Sequence, residues 1–159
     1  MVPGTSFRDP LTLGLRLVMI LPLIPTCVMV IVIMALEGES GPLRYAILAA
    51  LFGITIAGAL WMHAFFTFRT DAVRIGFMPI FWRTIPYREI AAVDAVEVDP
   101  MRDYSGWGVK GRGAQPKGML FSGGSHNAVR ITLHDDRRYL VTLPDPVDDI
   151  VAALRARTG

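Results

Sequence analysis

Few residues in this chain have chemical potential, and their spacing limits what they can do. Ser122, Ser125 and His126 stand close together in the run Phe-Ser-Gly-Gly-Ser-His-Asn. A hydroxyl beside an imidazole suggests nucleophilic catalysis, but the run is not the Gly-x-Ser-x-Gly elbow that presents a serine. Glycine, serine and asparagine are also ordinary turn formers. His126 and His134, with Asp135 and Asp136 beside the second, are metal-ligand types. A strand between the two histidines would hold them about 25 Å apart, so one ion would not take both. Gly106 to Gly111 and Gly113 to Gly118 each repeat the gap of a phosphate-binding loop. Arg112 and Met119 follow where lysine is required, and no strand–loop–helix context surrounds them. The sequence therefore predicts no catalytic residue, no metal site and no cofactor, and it points away from an enzyme.

A basic and aromatic stretch is richer. Between Met101 and Gly118 lie Arg102, Tyr104, Trp107, Lys110, Arg112 and Lys117, opposed by Asp103 alone. Glycine-rich loops on a rigid scaffold often carry function. Cations beside aromatics suit anionic headgroups, at up to about 1 kcal/mol per charge near a leaflet. These six residues are candidate contacts for lipid or a partner. The bland alternative is a solvated loop with Trp107 in a core strand. Arg69, Arg74, Arg83 and Arg88 form a second basic series, placed to meet lipid phosphates just after the apolar half of the chain.

That apolar half sets the architecture. Leu17–Leu36 and Tyr45–Phe68 are uncharged runs separated by eight residues in a chain of 159. Each matches the roughly 20 residues a helix needs to cross a hydrocarbon core. The first run exceeds the length of a signal-peptide core and has no small-residue cleavage site behind it. Cys27, the single cysteine, lies inside it, so an intrachain disulfide is excluded. Pro22 and Pro25 predict a kink in the first helix. Gly38, Gly41 and Pro42 suit a turn between the helices. Arg8 and Arg16 precede the first helix, only Arg44 lies in the connection, and the second arginine series follows. By the positive-inside rule both termini are cytoplasmic.

Ala49, Gly53 and Ala57 fall on one face of the second helix, where small residues permit close helix packing. They are candidates for packing against the first helix, against a second copy or against a partner helix. His63 is the one ionisable side chain in either run, read as an interfacial histidine or as a proton or metal group.

Past Phe68 the pattern turns to short strands: 72–77, 80–87, 90–98, a short one at 119–122, and a hairpin 129–133/139–143 around His134–Arg137. A helix closes the chain. Asp145 is its expected N-cap, Pro146 its first residue, and Val147, Ile150, Val151 and Leu154 its apolar stripe. The division is thus 1–16 N-terminal segment, 17–68 transmembrane hairpin (17–36 and 45–68) and 69–159 soluble domain. A net charge of +2 gives no argument for nucleic acid.

Three features carry a resemblance: Ile85-Pro86-Tyr87-Arg88-Glu89-Ile90 at a strand exit, Gly106-Trp107-Gly108-Val109 at a middle strand, and the last hairpin followed by Asp145-Pro146 and the helix. Over roughly 67–157 plus the hairpin, the chain resembles small bacterial pleckstrin-homology (PH) domain membrane proteins. The resemblance implies an α+β domain: a PH-like antiparallel barrel of six to seven strands capped by a C-terminal helix. It implies a binding module, not a catalyst. Phosphoinositide-binding members use basic residues in the first strand-to-strand loop. Here that loop is Gly76-Phe77-Met78-Pro79, so no ligand residue carries over. The expectation is a two-pass protein of the bacterial inner membrane whose cytoplasmic domain engages a protein partner, a second copy or anionic lipid. The alternative is an accessory subunit of a transport or envelope-assembly complex, recognised through the hairpin.

Overall fold

A computed structural model describes residues 4–36, 41–144 and 147–158, with only the backbone of Met34. The expected turn at Gly38 and the expected cap Asp145–Pro146 lie outside the described residues. The chain divides into two units, an apolar hairpin (Leu11–Trp61) and a β-rich domain made from the residues on both sides of it.

In the hairpin, α1 (Leu13–Ile20) and α2 (Leu23–Leu36) are two segments of one apolar stretch, and α3 (Pro42–Trp61) returns. Leu13–Ile33 and Pro42–Trp61 are long and apolar enough to span a membrane. Prolines explain the break between α1 and α2. Pro25 has no N–H for the Leu21 carbonyl, which instead takes the Ile24 N–H at 3.3 Å. The Thr26 hydroxyl donates to the Pro22 carbonyl at 2.8 Å. Pro25 itself sits in the first turn of α2, where a missing donor costs little, so there is one break rather than two.

The domain begins before the hairpin. Strand β1 (Ser6–Pro10) pairs antiparallel with β2 (His63–Phe68), from Ser6↔Thr67 to Pro10↔His63. β3 (Ala72–Met78) and β4 (Phe81–Pro86) complete a four-stranded sheet in the order β1-β2-β3-β4. This corrects three expectations. Residues 1–16 are not merely a leading segment, the second helix ends at Trp61 rather than Phe68, and His63 belongs to a strand rather than to a helix.

A 3-10 turn at Tyr87–Glu89 carries the chain into a second sheet. Its members are β5 (Ile90–Glu97), β6 (Gly108–Gly111), β7 (Met119–Ser122), β8 (Asn127–Leu133) and β9 (Arg138–Thr142), in the order β5-β8-β9-β7-β6. β7 lies parallel to β9; the other neighbours are antiparallel. The six- to seven-stranded barrel is therefore corrected to nine strands in two sheets among the described residues, and the sheets do not close into a barrel. The physical reason is pairing: β4 and β5 are consecutive, but the 3-10 turn at Tyr87–Glu89 separates them, and each ends its own sheet as an edge strand instead of pairing with the other.

Phe66, Phe68, Ile75 and Ile85 of the first sheet, and Phe121, Ile131 and Tyr139 of the second, are fully buried in the core. Helix α5 (Val147–Thr158) lies on β5 and β8. It buries Val147, Ile150, Val151 and Leu154, the stripe its spacing predicts, each at about 2 kcal/mol of transfer free energy. At its end Arg157 donates to the Tyr87 hydroxyl (3.0 Å) and the Arg69 carbonyl (3.2 Å), with its guanidinium 5.1 Å from the Phe68 ring centre. α5 thereby ties the first sheet to the 3-10 turn.

The β1–β2 pairing is open to a direct check. The Ser6 and Thr67 hydroxyls are 2.9 Å apart across the strands. In a Cys27→Ala background, the double variant Ser6→Cys/Thr67→Cys should form an intramolecular disulfide under mild oxidation, read by mass and by non-reducing electrophoresis. Persistence of two free thiols would show that β1 does not pair there.

Candidate functional site

Three places in the β-rich domain and one in the hairpin bring polar or functional side chains together. The first surrounds Asp9, which faces inward from β1 and is 2% exposed. Its carboxylate accepts from the Ser125 hydroxyl (2.6 Å), the Gly123 N–H (3.0 Å), the Ser125 N–H (3.3 Å) and the Thr142 hydroxyl. Ser122 completes the cluster, with its hydroxyl accepting from the Gly124 N–H at 3.1 Å. Sequence reasoning named Ser122 and Ser125 but missed Asp9 and Thr142. The missing signal was the buried position of an aspartate in a segment that reads as polar and unstructured. The arrangement holds β1 against the β7–β8 loop. The Ser125 and Thr142 hydroxyls point at the carboxylate, the Ser122 hydroxyl accepts from Gly124 and from Thr142 (3.2 Å), and His126, the one imidazole nearby in sequence, turns instead to the Val98 carbonyl at 3.3 Å. Gly123 is required here: a Cβ on it would lie 2.1 Å from the Asp9 carbonyl oxygen.

The second is the stretch 99–118. It is an ordered cover with its own elements. Asp99 caps the short helix α4 (Pro100–Tyr104) by accepting from the N–H groups of Met101 (3.0 Å) and Arg102 (3.1 Å). Ser105 ends it in the left-handed region, φ 57°. Tyr104 packs against a cluster of Val98, Leu120, Ala128 and Leu140 on the second sheet. Its hydroxyl donates to the Lys117 carbonyl, and the Lys117 ammonium donates to the Asp103 carbonyl at 2.9 Å. Arg102, Arg112 and Lys117 are exposed; Trp107 and Lys110 are half-buried on or beside the edge strand β6. The six candidates thus share one segment, and Tyr104 and Lys117 are engaged in holding it shut.

The metal-ligand types do not converge. His126 and His134 lie at opposite ends of β8, and Arg137 Nε bonds Asp135 at 2.6 Å, which holds that carboxyl below the usual range. Among the described residues no group of three histidine, cysteine or acidic side chains is placed to hold an ion.

The third place is the outer face of the first sheet. Arg8, Phe65, Gly76 and Trp82 form one cross-strand row. Gly76 lets the β4 backbone come close, since a Cβ on it would lie 2.5 Å from the Phe81 carbonyl oxygen, and the Arg74 guanidinium lies 5.9 Å from the Phe65 ring centre and 5.1 Å from that of Trp82. Arg8, Arg69, Arg74 and His63 border a shallow hollow of about 190 Å³. Of the arginines that sequence reasoning grouped here, Arg69 and Arg74 reach this face. Arg83 instead lies over Tyr139, 4.9 Å from its ring centre, and Arg88 sits in the 3-10 turn.

In the hairpin, Leu48, Phe52 and Thr55 of α3 line a groove with Cys27 and Val30 of α2. Ala49, Gly53 and Ala57 are exposed on a different face of α3, so they do not make the packing face of their own hairpin. A Cβ on Gly53 would meet nothing within 4 Å.

No family model, curated protein or solved structure matches this chain. The reading of its function therefore rests on the geometry above.

Two outcomes follow for stability. Asp9→Ala would take the acceptor from two hydroxyls and two backbone N–H groups and should cost on the order of 3 kcal/mol, and Gly123→Ala should be similarly harmful, both read as a fall in Tm; an unchanged Tm would contradict the buried network. Burial, then the Asp103 carboxylate, raise the Tyr104 phenol above its ordinary value of 10, against a smaller pull from Arg130. The unfolded chain thus loses that proton first. The neutral phenol's contribution is complete below about pH 10 and fades as pH climbs through the raised folded value. Tyr104→Phe should cost about 1 kcal/mol at neutral pH and weaken the alkaline loss of Tm; an identical alkaline profile would contradict this assignment.

Proposed function

We propose that this chain is a membrane-anchored binding module, with a two-pass hairpin in the bacterial inner membrane and a PH-like domain at its cytoplasmic face. The observation that carries the reading is the β1–β2 pairing. The chain leaves the sheet at Pro10, runs through two helices of spanning length, and re-enters at His63 opposite Pro10. Both ends of the hairpin must then lie on one side of any membrane it crosses, which an even number of crossings satisfies. The excess of arginine on the flanks over the connection favours the cytoplasmic side.

The module's work in this reading is recognition at the bilayer surface, of anionic lipid or a protein partner, rather than catalysis. The serines that suggest a nucleophile are engaged around Asp9 in holding β1, with no imidazole among them. Arg8, Arg102 and Arg112, in contrast, are exposed. A second reading is an accessory subunit recognised through the hairpin. It is favoured by the position of Ala49, Gly53 and Ala57 on an exposed face of α3, where another helix has room to approach.

Topology separates the anchored module from a soluble domain with an apolar cover. In a Cys27→Ser background, Leu43→Cys in whole cells should react with an impermeant maleimide added outside, and Ala156→Cys should react only after lysis. Labelling of both from the same side would overturn the reading.

A further inference from the structure

We propose that the outer face of the first sheet, from Arg8 and Arg74 to the β3–β4 turn, docks onto anionic phospholipid of the membrane that the hairpin enters. The inference rests on the anchored reading above and names what the module engages.

Three observations converge on this face. The first is apolar exposure at a turn. Ile80 is 60% exposed, Trp82 49% and Met78 37%, while Phe81, beside them and 41% exposed, stacks on the buried Phe121. Three large apolar side chains open to water around one short turn need a partner. Tryptophan beside aliphatics suits the headgroup level of a bilayer.

The second is position. Met78 pairs with His63, and His63 pairs with Pro10. The β3–β4 turn therefore lies on the same edge of the sheet as the two points where the chain departs for the hairpin and returns from it. The chain departs for the hairpin and returns from it at that edge, and not at the opposite one.

The third is charge. Arg8, Arg69 and Arg74 line the hollow that runs over this face from His63 and Met78, with Arg69 at its far end, and none of the residues lining it is acidic. Arg74 is held in place by the Phe65 and Trp82 rings and lines the hollow. A guanidinium fixed on an aromatic floor is set to meet a phosphate oxygen. Phospholipid supplies both halves of the match, phosphate for the arginines and acyl chain for the turn. A second copy of the chain would bring the same positive face and repel.

The test uses the full-length protein in vesicles of phosphatidylcholine, with or without about one-third phosphatidylglycerol. Acyl-brominated lipid serves as the quencher. Trp61→Phe/Trp107→Phe leaves Trp82 as the sole tryptophan, and Trp82→Phe/Trp107→Phe leaves Trp61. We expect Trp82 emission to be blue-shifted and quenched in the anionic vesicles, less so in pure phosphatidylcholine, and restored by high salt. Arg8→Gln and Arg74→Gln should each weaken docking about fivefold. Quenching of Trp61 without quenching of Trp82 overturns this inference and leaves the anchor standing. A lack of quenching at both overturns the anchored reading as well. Blue-shifted but unquenched Trp82 means that protein covers the turn, and likewise overturns the inference.

Discussion

A carboxylate taken out of water must be met by donors on nearly every side, or its desolvation outweighs anything gained by burying it. Asp9 meets that demand with two hydroxyls and two backbone N–H groups, all drawn from residues far beyond the hairpin. The small Ala64 stands opposite it on β2, and Gly123 lets the loop backbone approach where any side chain would collide. This polar contact holds the outermost strand of the first sheet to the end of the second. Without it β1 would be an edge strand with one half-buried phenylalanine, Phe7, to hold it. With it, the two flanks of the hairpin become parts of one domain.

The legible and illegible parts of this fold divide along physical lines. α5 was readable because it is buried on one side only, so Val147, Ile150, Val151 and Leu154 stand out against charge. β8 and β9 were readable for the same reason, with a polar turn between them. β2 was not. Ala64, Phe66 and Phe68 face the core, while Phe65 is covered on the other face by Arg74. A strand covered on both faces has no alternation to reveal it, and after an apolar helix it reads as more helix. β1 failed in the opposite sense: its inward residue is an aspartate, so the pattern that marks a strand was inverted at the position that matters. Sheet order lay further still from local sequence, since β5 pairs with β8, far along the chain, and β4 and β5 end separate sheets.

Candidate residues sort in a similar way. Composition located the basic stretch 102–117, but only packing distinguishes a lysine that closes a loop, such as Lys117, from an arginine that faces outward, such as Arg102. The outer face of the first sheet was scattered through the sequence. Arg8 precedes the hairpin, Phe65 follows it and Trp82 lies two strands on; pairing register alone brings them into one row. Small residues along α3 could be found by spacing, whereas the side of the hairpin they occupy depends on how Leu48 and Phe52 choose their groove.

Synthesis order gives the β1–β2 pairing another meaning. The partners of Asp9 lie 114, 116 and 133 residues further along the chain. β1 is made before the donors that fix it and waits for them before it has a place to settle, and such distant contacts close slowly. In the anchored reading proposed above, both helices must already have gone in and come back for His63 to arrive beside Pro10. A chain that inserted one helix and stranded the other would then leave β1 and β2 on opposite sides of the bilayer, with Asp9 and its donors never meeting. On that reading, completion of this sheet is a record of correct insertion, written into the stability of the domain itself.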